Sequence, residues 1–569
     1  DSTGNQYVWV EVPKAERVYK TAGLEIKDFT DEEYTKIEDD LHTYTDVYRN
    51  GTSYKDEYYS GVGLTSEEYY SLKKMMLKSV YQNGGFYVGK YETGVMENPR
   101  YKESSSATVM PTDTPVIKQM SDNSGYNIEW KLREPSNYYD LIRELILNGD
   151  SLADIVQLPD LDKNMDYINT GKFAALDEYF EYMPNFQKFL DENNEIKASL
   201  TTDTGHIYYI PQLVLTKNYV PCIMYNTKWL NSIGKAAPST LDEFVELLKI
   251  YKTTDINGNG LTDEIPLCVT SDNLAYMFGP AFGLNLVDGF YEDDDGKIKY
   301  SYYNNDNYKQ YLEFVNMLYN EGLLYSNYNN ATRDTIKDMC ANNTLGVTFD
   351  YSWHMSMLYS AQYSDYTGES PVFESAAPLS GTHEGYYIGR NAISGLFGVT
   401  KSDNTVDAIK LLDYMISDDN ETSYCFGILN ESYTINDNNK KAFTAQAHDD
   451  TYVQHLGINP ICVPSMQSVE ATDALVPAWH SQLDKKLAQY VKSPFPLIYS
   501  TESEVSLNND YTSYIAKYVS SQTNEFITGP LPLTELDSFN ATLKNMGIEN
   551  MIALRQVQYN RYKKNLTID

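Results

Sequence analysis

The sequence predicts an α/β protein of two lobes, preceded by an additional helical segment. Helix and strand patterns alternate with short connections from about residue 114 onward, which is typical of α/β domains with a mostly parallel sheet. The chain has 569 residues, too many for a single compact core, so at least two domains are expected. Its 42% content of hydrophobic residues is ample for packed cores.

The first 84 residues form the predicted helical extension, because they precede the helix–strand alternation. Helices are expected near 31–48 and 66–81, since each begins with a Thr or Ser followed by an acidic turn. Gly84 and Gly85 end the second helix. We expect this extension to be dispensable for ligand binding.

The first lobe is expected to comprise 85–215 and 378–425. The chain should leave this lobe near 212–224 and return near 374–379. The elements predicted in its first part are a helix at 114–122, a strand at 127–130, a helix at 136–148 and a strand at 155–156.

The second lobe is expected to comprise 216–377 and 426–569, including a helical tail. Two lobes joined by crossing strands are typical of binding proteins that close about a hinge. The elements predicted in this lobe are a helix at 240–252, a strand at 265–269, a helix at 306–321 and a strand at 345–349.

Composition excludes several classes of function. A net charge of −35 argues against nucleic acid binding and, less strongly, against a polyanionic ligand. The sequence contains no run of eighteen apolar residues, so it does not indicate a transmembrane helix. Five cysteines without metal-type spacing indicate buried thiols and no disulfide framework. The sequence also lacks the nucleophile-elbow, P-loop and dinucleotide-binding motifs, while its 52 tyrosines suit stacking on sugar rings.

The segment 255–266 has the spacing of a calcium-binding loop. Short oxygen-bearing side chains occur at alternate positions, Gly260 permits a sharp turn, and two carboxylates follow. Pro266 occupies the twelfth position, where an EF-hand has Glu, so the preceding carboxylates must close the site. An Asn-Gly-rich surface turn is the alternative interpretation. The expected ligands are Asp255, Asn257, Asn259, the Leu261 carbonyl, Asp263 and Glu264.

This loop resembles that of the carbohydrate-binding lipoproteins that serve ABC importers, namely family 1 of the extracellular solute-binding proteins, including alginate-binding and LipO-like lipoproteins. In that family the counterparts of the six residues hold a structural ion. Supporting similarities extend in order over about 110–565. They include Gly149–Ile155, Thr170–Asp177, Asp203–Pro211, Met224–Leu230, Glu525–Gly529 and Gln556–Tyr562.

The resemblance implies a type II periplasmic-binding-protein-like fold and no catalysis. It implies a monomer that captures an oligosaccharide between its lobes and delivers it to an ABC permease, with structural Ca²⁺. It further implies a lipoprotein signal and an anchoring cysteine upstream of Asp1, which would place the protein on the extracellular face of the cell membrane.

Candidate ligand-binding residues follow from the rule that α/β lobes bind ligands at the carboxyl ends of strands. Trp353 is the main candidate, because the resemblance places an aromatic residue after the strand 345–349 and because its neighbours are polar. Trp229, in contrast, is expected in the core. The full set of ligand candidates is Trp130, Tyr139, Gln157, Tyr209, Gln212, Asp350, Tyr351, Trp353, Arg390 and Trp479.

Two other functions remain open from the sequence. An extracellular glycoside hydrolase or lyase with a structural calcium is possible, because 80 carboxylates guarantee chance acid pairs. A peptide or small-polyol binder on the same scaffold is the third possibility. Detection of reaction products after incubation with oligosaccharides would separate an enzyme from a carrier.

Overall fold

The structure is a computed structural model that describes residues 7–12, 18–19, 29–45, 66–89, 111–131, 138–161, 163–213, 220–459 and 463–567. The chain divides into two compact units, Asp1–Val109 and Met110–Asp569. In the described ranges, no helix combines the length and apolar character needed to cross a membrane.

The N-terminal unit contains two helices and a two-stranded antiparallel sheet. The predicted helices are confirmed, and a capping box formed by Thr30 and Glu33 starts the first of them. The helices pack through Ile37, Leu77 and Val80, which are buried. The pairing of the two strands was not predicted. Its elements are β1 (Tyr7–Glu11), α1 (Asp31–Thr45), α2 (Ser66–Asn83) and β2 (Gly85–Gly89).

The larger unit begins with the first pass through lobe one. The predicted helices near 114 and 136 are present, but 127–130 forms no strand. Tyr126, Ile128 and Trp130 instead pack against the lobe core from an irregular segment. The elements of this pass are α3 (Pro115–Ser124), α4 (Tyr138–Asn148), β3 (Ile155–Leu158), α5 (Met165–Ile168), α6 (Pro184–Glu192), α7 (Asn194–Leu200) and β4 (Ile210–Leu213).

The chain then forms most of lobe two, where all four elements predicted above are present. Its elements are β5 (Pro221–Asn226), α8 (Thr227–Ser232), α9 (Leu241–Thr253), β6 (Ile265–Leu267), α10 (Ser271–Phe278), β7 (Phe290–Glu292), β8 (Ile298–Tyr300), α11 (Asp306–Asn320), α12 (Arg333–Ala341), β9 (Leu345–Tyr351) and β10 (Phe373–Ser375).

The remainder returns to lobe one and then to lobe two. The stretch begins with β11 (Tyr387–Ile388), which still packs in lobe two and pairs with Val491–Lys492. The elements of the return are β12 (Ile393–Val399), α13 (Thr405–Met415), α14 (Asp418–Phe426), β13 (Tyr433–Ile435), β14 (Lys441–Phe443), α15 (Asp450–Leu456) and α16 (Val469–Leu475). Those of the final part are α17 (Ala478–Leu487), β15 (Val491–Lys492), α18 (Glu502–Thr528), α19 (Leu536–Asn545) and α20 (Ile548–Leu566).

Each lobe has its own sheet and its own hydrophobic core. In lobe one the strand order is β3-β12-β4, and the central β12 is antiparallel to both neighbours. In lobe two the order is β10-β5-β9-β6, and only β6–β9 is a parallel pair. The expectation of mostly parallel sheets is therefore wrong, because strands that return from a crossing enter each sheet in the opposite direction.

The boundary between the part of the chain that packs in the core of lobe one and the part that packs in the core of lobe two lies later than the predicted limit at 425. Leu456, Ile458 and Val463 are buried in the core of lobe one, whereas Leu483 belongs to that of lobe two. Helical character alone could not show on which lobe this stretch packs. The helix α18 spans both lobes, since Val505 contributes to the first core and the residues from Ile515 onward to the second.

Candidate functional site

A cavity of about 910 Å³ is lined by residues from both lobes. Asp160 and Leu161 follow β3 in lobe one, and Leu161 belongs to that lobe's core. Leu274, Leu286 and other members of the second core line the opposite side. The volume is at the upper end of ordinary ligand pockets, which measure roughly 300–1,000 Å³. Its polar lining includes Asp160, Ser271, Asp272, Tyr276, Asp288, Asn391 and Arg555.

The lobe-two wall of the cavity is carried by α10, which directly follows β6. Tyr276 on this helix packs its ring against Phe349 of β9, with ring centroids 6.4 Å apart. Burial, together with the nearby Tyr351 and Asp288, raises the pKa of Tyr276 to about 12. Its phenol group therefore remains neutral and can exchange hydrogen bonds with a polar ligand.

Asp288 presents a carboxyl group to the same cavity. Its Oδ1 accepts hydrogen bonds from Asn285 Nδ2 at 2.8 Å and from the Phe290 amide at 3.1 Å. The side chain is exposed to solvent, but it lines the cavity, where the surrounding protein limits its hydration. This desolvation raises the pKa of Asp288 to about 7, although Arg555 and the two hydrogen bonds act in the opposite direction.

Asp350 belongs to a closed structural cluster, which corrects its prediction as a ligand-binding residue. Arg333 donates to both carboxylate oxygens, through Nε at 2.8 Å and Nη2 at 2.9 Å. The Tyr359 hydroxyl donates at 2.7 Å, and His354 Nδ1 lies 2.9 Å away. Asp350 is only 2% exposed, and these partners hold its pKa well below its usual range despite desolvation.

Tyr351 and Arg390, two of the predicted ligand contacts, lie close together. The guanidinium group of Arg390 lies over the Tyr351 ring at 5.3 Å, and that of Arg333 lies 5.9 Å from the same ring. Asn391, next to Arg390, lines the cavity. This neighbour places the pair near the edge of the cavity, and contact with a ligand stays a prediction for both residues.

Trp353 is exposed and Trp229 is buried, as predicted. Trp353 is 38% exposed and its ring packs on His354, with centroids 3.9 Å apart. A π-helical turn, Met355–Tyr359, follows it directly. Trp229 is 1% exposed and donates its indole N–H to Asn343. Trp353 does not line the cavity of about 910 Å³, so contact with a ligand stays a prediction for this residue.

Gln157 and Gln212 lie on β3 and β4, on either side of β12. Val156 and Leu158 are buried in the lobe core, so Gln157 points to the opposite face of the sheet. Gly395 of β12 lies between them, since a Cβ there would be 3.7 Å from both side chains. Its φ of 87° is one that glycine adopts readily. Both remain predicted ligand contacts.

The remaining lobe-one candidates differ in exposure. Tyr209 is fully buried and donates its hydroxyl hydrogen to Asn164 Oδ1 at 3.0 Å, so its prediction is corrected to a core residue. Trp130 is half-buried against the same core. Tyr139 is 38% exposed on α4, and burial, with Asp160 nearby, raises its pKa.

Trp479 has mainly packing contacts. It stacks on His480 and donates its indole N–H to the Gly368 carbonyl at 3.1 Å. Its prediction as a ligand contact therefore gains no support from the structure.

Sequence reasoning missed Tyr276 and Asp288. The rule for strand ends, applied to β6 as well as to β9, would have selected the start of α10.

A Ser–His–Asp constellation occurs in the second core but is not placed for catalysis. Ser356 Oγ lies 2.6 Å from His480 Nδ1, and His480 Nε2 lies 3.5 Å from Asp484. All three residues are buried. Desolvation lowers the pKa of His480 to about 4 and raises that of Asp484 to about 6. A substrate cannot reach such a hydroxyl, so the group is part of the packing.

The loop predicted to bind calcium folds around its own polar side chains. Asp255 accepts hydrogen bonds from the amides of Asn259 and Gly260, at 3.1 and 2.9 Å. Asn257 Oδ1 accepts from the Asn259 amide at 3.0 Å. Gly258 and Gly260 both have positive φ, of 73° and 81°, which glycine adopts readily.

The carboxylates at the end of the loop face the same centre. The side-chain amides of Asn257 and Asn259 both donate to Asp263, at 3.0–3.1 Å. Glu264 Oε1 accepts from the Ile256 amide at 2.9 Å, whereas its buried Oε2 has no hydrogen-bond partner in the described structure. Such an unsatisfied oxygen fits a cation ligand.

Carboxylates alone do not complete this site. Within the described ranges, no three His, Cys, Asp or Glu side chains are grouped as a metal site, so a cation here would also need the asparagine oxygens and a backbone oxygen. The Leu261 side chain is 60% exposed, which suits a residue whose predicted contribution is its carbonyl.

The four described cysteines are free and buried, and Cys462 lies outside the described residues.

Comparison with known protein families finds a match over more than half of the chain. A model described as bacterial extracellular solute-binding protein matches residues 104–422. Among curated proteins, the fructooligosaccharide ABC transporter substrate-binding protein FusA of Streptococcus pneumoniae is 30% identical over 38% of this chain and 42% of its own length. Lipoprotein LipO of Bacillus subtilis is 23% identical over 58% of this chain and 66% of its own. The alignments thus span less than two thirds of either relative.

Comparison with solved structures extends further along the chain. FusA in complex with kestose superposes with a TM-score of 0.64 and 21% identity, covering 80% of this chain and 96% of that one. A solute-binding protein from Bifidobacterium longum infantis that binds HMO superposes with a TM-score of 0.66 and 18% identity, covering 80% of this chain and 96% of that one. The alginate-binding protein AlgQ2 superposes with a TM-score of 0.63 and 18% identity, covering 79% of this chain and 94% of that one. These similarities confirm the two-lobe fold class.

Proposed function

Because the chain belongs to the family of bacterial extracellular solute-binding proteins, we propose that it captures an oligosaccharide between its lobes and delivers it to an ABC permease. The observation that carries this proposal is the cavity of about 910 Å³, whose walls come from two separate hydrophobic cores. A ligand in it would contact both lobes, so binding would favour the closed arrangement.

The chemistry of the cavity suits a sugar. Tyr276, Phe290 and Tyr300 supply aromatic surface, while Asn391 and the carboxyl groups can exchange hydrogen bonds with hydroxyls. The names of FusA and of a Bacillus subtilis polygalacturonan/rhamnogalacturonan-binding protein, 21% identical over 37% of the chain, support a carbohydrate ligand. Together they cover neutral and acidic carbohydrates, so similarity alone does not assign the charge of the ligand.

Family membership also favours binding over the hydrolase or lyase alternative. Asp160, Asp272 and Asp288 do line one cavity, and paired carboxyl groups are what a glycosidase uses. Asp160, however, lies on the lobe opposite to the other two. We expect intact oligosaccharide to be recovered after incubation with the protein, and the appearance of shorter products would support the enzymatic alternative.

The loop 255–264 is the proposed site of a structural Ca²⁺. The converging oxygens, the unpartnered Glu264 Oε2 and the two glycines of positive φ support this assignment. The names of two solved relatives, a FusA EF-hand mutant and AlgQ2 without calcium ion, support calcium in related proteins. Since β6 begins directly after the loop, a bound ion would stabilise lobe two.

The proposed location is the extracellular face of the membrane, with a lipid anchor. The description of the family as extracellular and the name of the relative LipO support this.

The test of the proposed function is a binding screen with oligosaccharides of defined linkage and length. We expect at least one to bind with a raised melting temperature and a calorimetric Kd in the micromolar range or below. Tyr276→Ala, which removes an aromatic side chain from the cavity lining, should weaken binding of that ligand by about 2 kcal/mol, roughly 30-fold. Leu147→Ala, a change at a residue 78% exposed on α4, is the matched control and should change nothing. Absence of binding across the screen would contradict the proposal.

A further inference from the structure

The charges that line the cavity are mostly negative. Asp160 comes from lobe one, and Asp272 and Asp288 come from lobe two. Among the lining residues that the structure describes, Arg555 is the one cationic side chain. An anionic ligand would therefore meet carboxyl groups on both sides of the cavity.

Arg555 already has partners on the wall. Arg555 Nη1 donates to Gln558 Oε1 at 2.7 Å on the same helix. Its guanidinium group also lies over the Phe290 ring, 5.5 Å from the centroid. These contacts hold Arg555 against lobe two, where it offers less to an incoming carboxylate than an uncommitted bidentate arginine would.

Asp288 is the lining carboxyl with a fixed orientation and an open oxygen. Asn285 Nδ2 and the Phe290 amide hold Oδ1. Within the described part of the chain, Oδ2 accepts no hydrogen bond. The titratable and charged groups that face this carboxyl from the surrounding elements are Tyr276, Tyr300, Tyr302, Tyr386 and Arg555.

Asp272 adds a second carboxylate to the same wall. It lies in the first turn of α10, where the helix dipole favours a negative charge. Asp160 lies just beyond the end of β3 on the other lobe, and both side chains are exposed towards the cavity. Closure of the lobes would bring these carboxylates around a bound ligand.

We propose that this cavity selects uncharged oligosaccharides and rejects uronic-acid oligomers, with Asp288 as the principal residue that sets the selectivity. The inference rests on the proposed function and specifies its ligand class. An uncharged hydroxyl can donate a hydrogen bond to Oδ2, whereas a uronate carboxylate at the same place would be repelled.

The test is calorimetry with the full chain and length-matched oligosaccharides, namely neutral fructans, glucans and galactans against oligogalacturonates and oligoguluronates. We expect a neutral ligand to bind at least 100-fold more tightly than any uronate. A uronate that binds as tightly as the best neutral ligand would overturn the inference while leaving the proposed function intact. If neither class binds, the proposed function fails and the inference fails with it.

The residue assignment is tested with Asp288→Asn, which retains an oxygen for Asn285 and Phe290. The ratio of uronate affinity to neutral affinity should rise at least tenfold. Asp294→Asn, in the exposed turn between β7 and β8, is the matched control and should leave the ratio unchanged. An unchanged ratio in Asp288→Asn would remove this residue from the selectivity.

A second readout uses the unmodified chain and therefore does not depend on the folding of the variant. Asp288 becomes protonated near pH 7, while a uronate stays ionised. Uronate binding should therefore strengthen at least threefold between pH 8 and pH 6, and neutral binding should change less. A uronate affinity that is independent of pH would contradict the role of Asp288.

Discussion

Two carboxyl groups of lobe two, Asp350 and Asp288, have opposite environments although each lies near an arginine and several tyrosines. Asp350 is buried and receives hydrogen bonds at both oxygens, so its charged form is stabilised. Asp288 faces a cavity with one oxygen open, so its neutral form gains. A carboxylate saturated by the protein stabilises the fold, whereas one left partly open can serve a ligand.

The largest expected effect is on the saturated carboxylate. Asp350→Ala would leave the Tyr359 hydroxyl without its acceptor and would remove the ion-pair partner of Arg333. The free energy of unfolding should fall by about 3–5 kcal/mol, measured by urea denaturation at pH 7. Since the pKa of Asp350 is lowered, its contribution is present above the unfolded value of about 3.9 and is lost as the pH falls further.

Asp334→Ala is the matched control for this experiment. Asp334 is next to Arg333, but its side chain is 86% exposed and pairs with Lys337 on the same helix, so the change should be within about 0.5 kcal/mol. If Asp350→Ala kept its stability and lost ligand binding, Asp350 would belong to the ligand site, as the sequence suggested.

The different outcomes for these residues show what the sequence could predict. The elements α9, β6, α11 and β9 follow from local periodicity and capping, and the loop 255–264 from its spacing. The closed cluster of Asp350 could not be predicted, because Arg333 lies 17 positions away and only tertiary packing brings it close. Asp288 and Asn391 carry no local signal, since a cavity is formed by segments distant in sequence.

The calcium loop lies between the two cases, because Glu264 has one bonded oxygen and one that is unsatisfied. If a cation completes the group, removal of calcium by EDTA should lower the melting temperature by several degrees. A ligand at 100 times its Kd contributes about 2.7 kcal/mol. Differential scanning calorimetry in metal-stripped buffer, with and without added Ca²⁺, measures this shift.

Asp255→Ala should abolish the response to EDTA, whereas Asp294→Ala, in another acidic turn of lobe two, should retain it. A melting curve that is identical with and without chelator would show that hydrogen bonds within the loop suffice.

A smaller effect is expected from the open carboxyl. The pKa of Asp288 is raised to about 7 above an unfolded value of about 3.9, so the folded protein holds its proton more tightly. The wild-type protein therefore loses stability as the pH rises from about 4 through 7. The Asp288→Asn variant has no titrating group at this position. The difference between its melting temperature and that of the wild type should therefore rise by about 2 °C from pH 5 to pH 8. The rise is small because solvent screens the group.

Thermal melts of both proteins at the two pH values provide the measurement, and Asp294→Asn should show no such difference. A constant difference would mean that Asp288 is as hydrated as a surface carboxylate, which would weaken the contrast with Asp350.

The smallest expected effect concerns the N-terminal unit, because every residue that carries the contrast lies in Met110–Asp569. The predicted cut near Gly85 is unsuitable, since β2 pairs with β1 inside the first unit. A protein that starts at Met110 should bind its oligosaccharide within about twofold of the full chain, as measured by calorimetry. A tenfold loss, about 1.4 kcal/mol, would instead assign part of the ligand site to the first unit. Tyr70→Ala and Met75→Ala, at residues 45% and 58% exposed on α2, would then test whether that helix surface supplies the missing contacts.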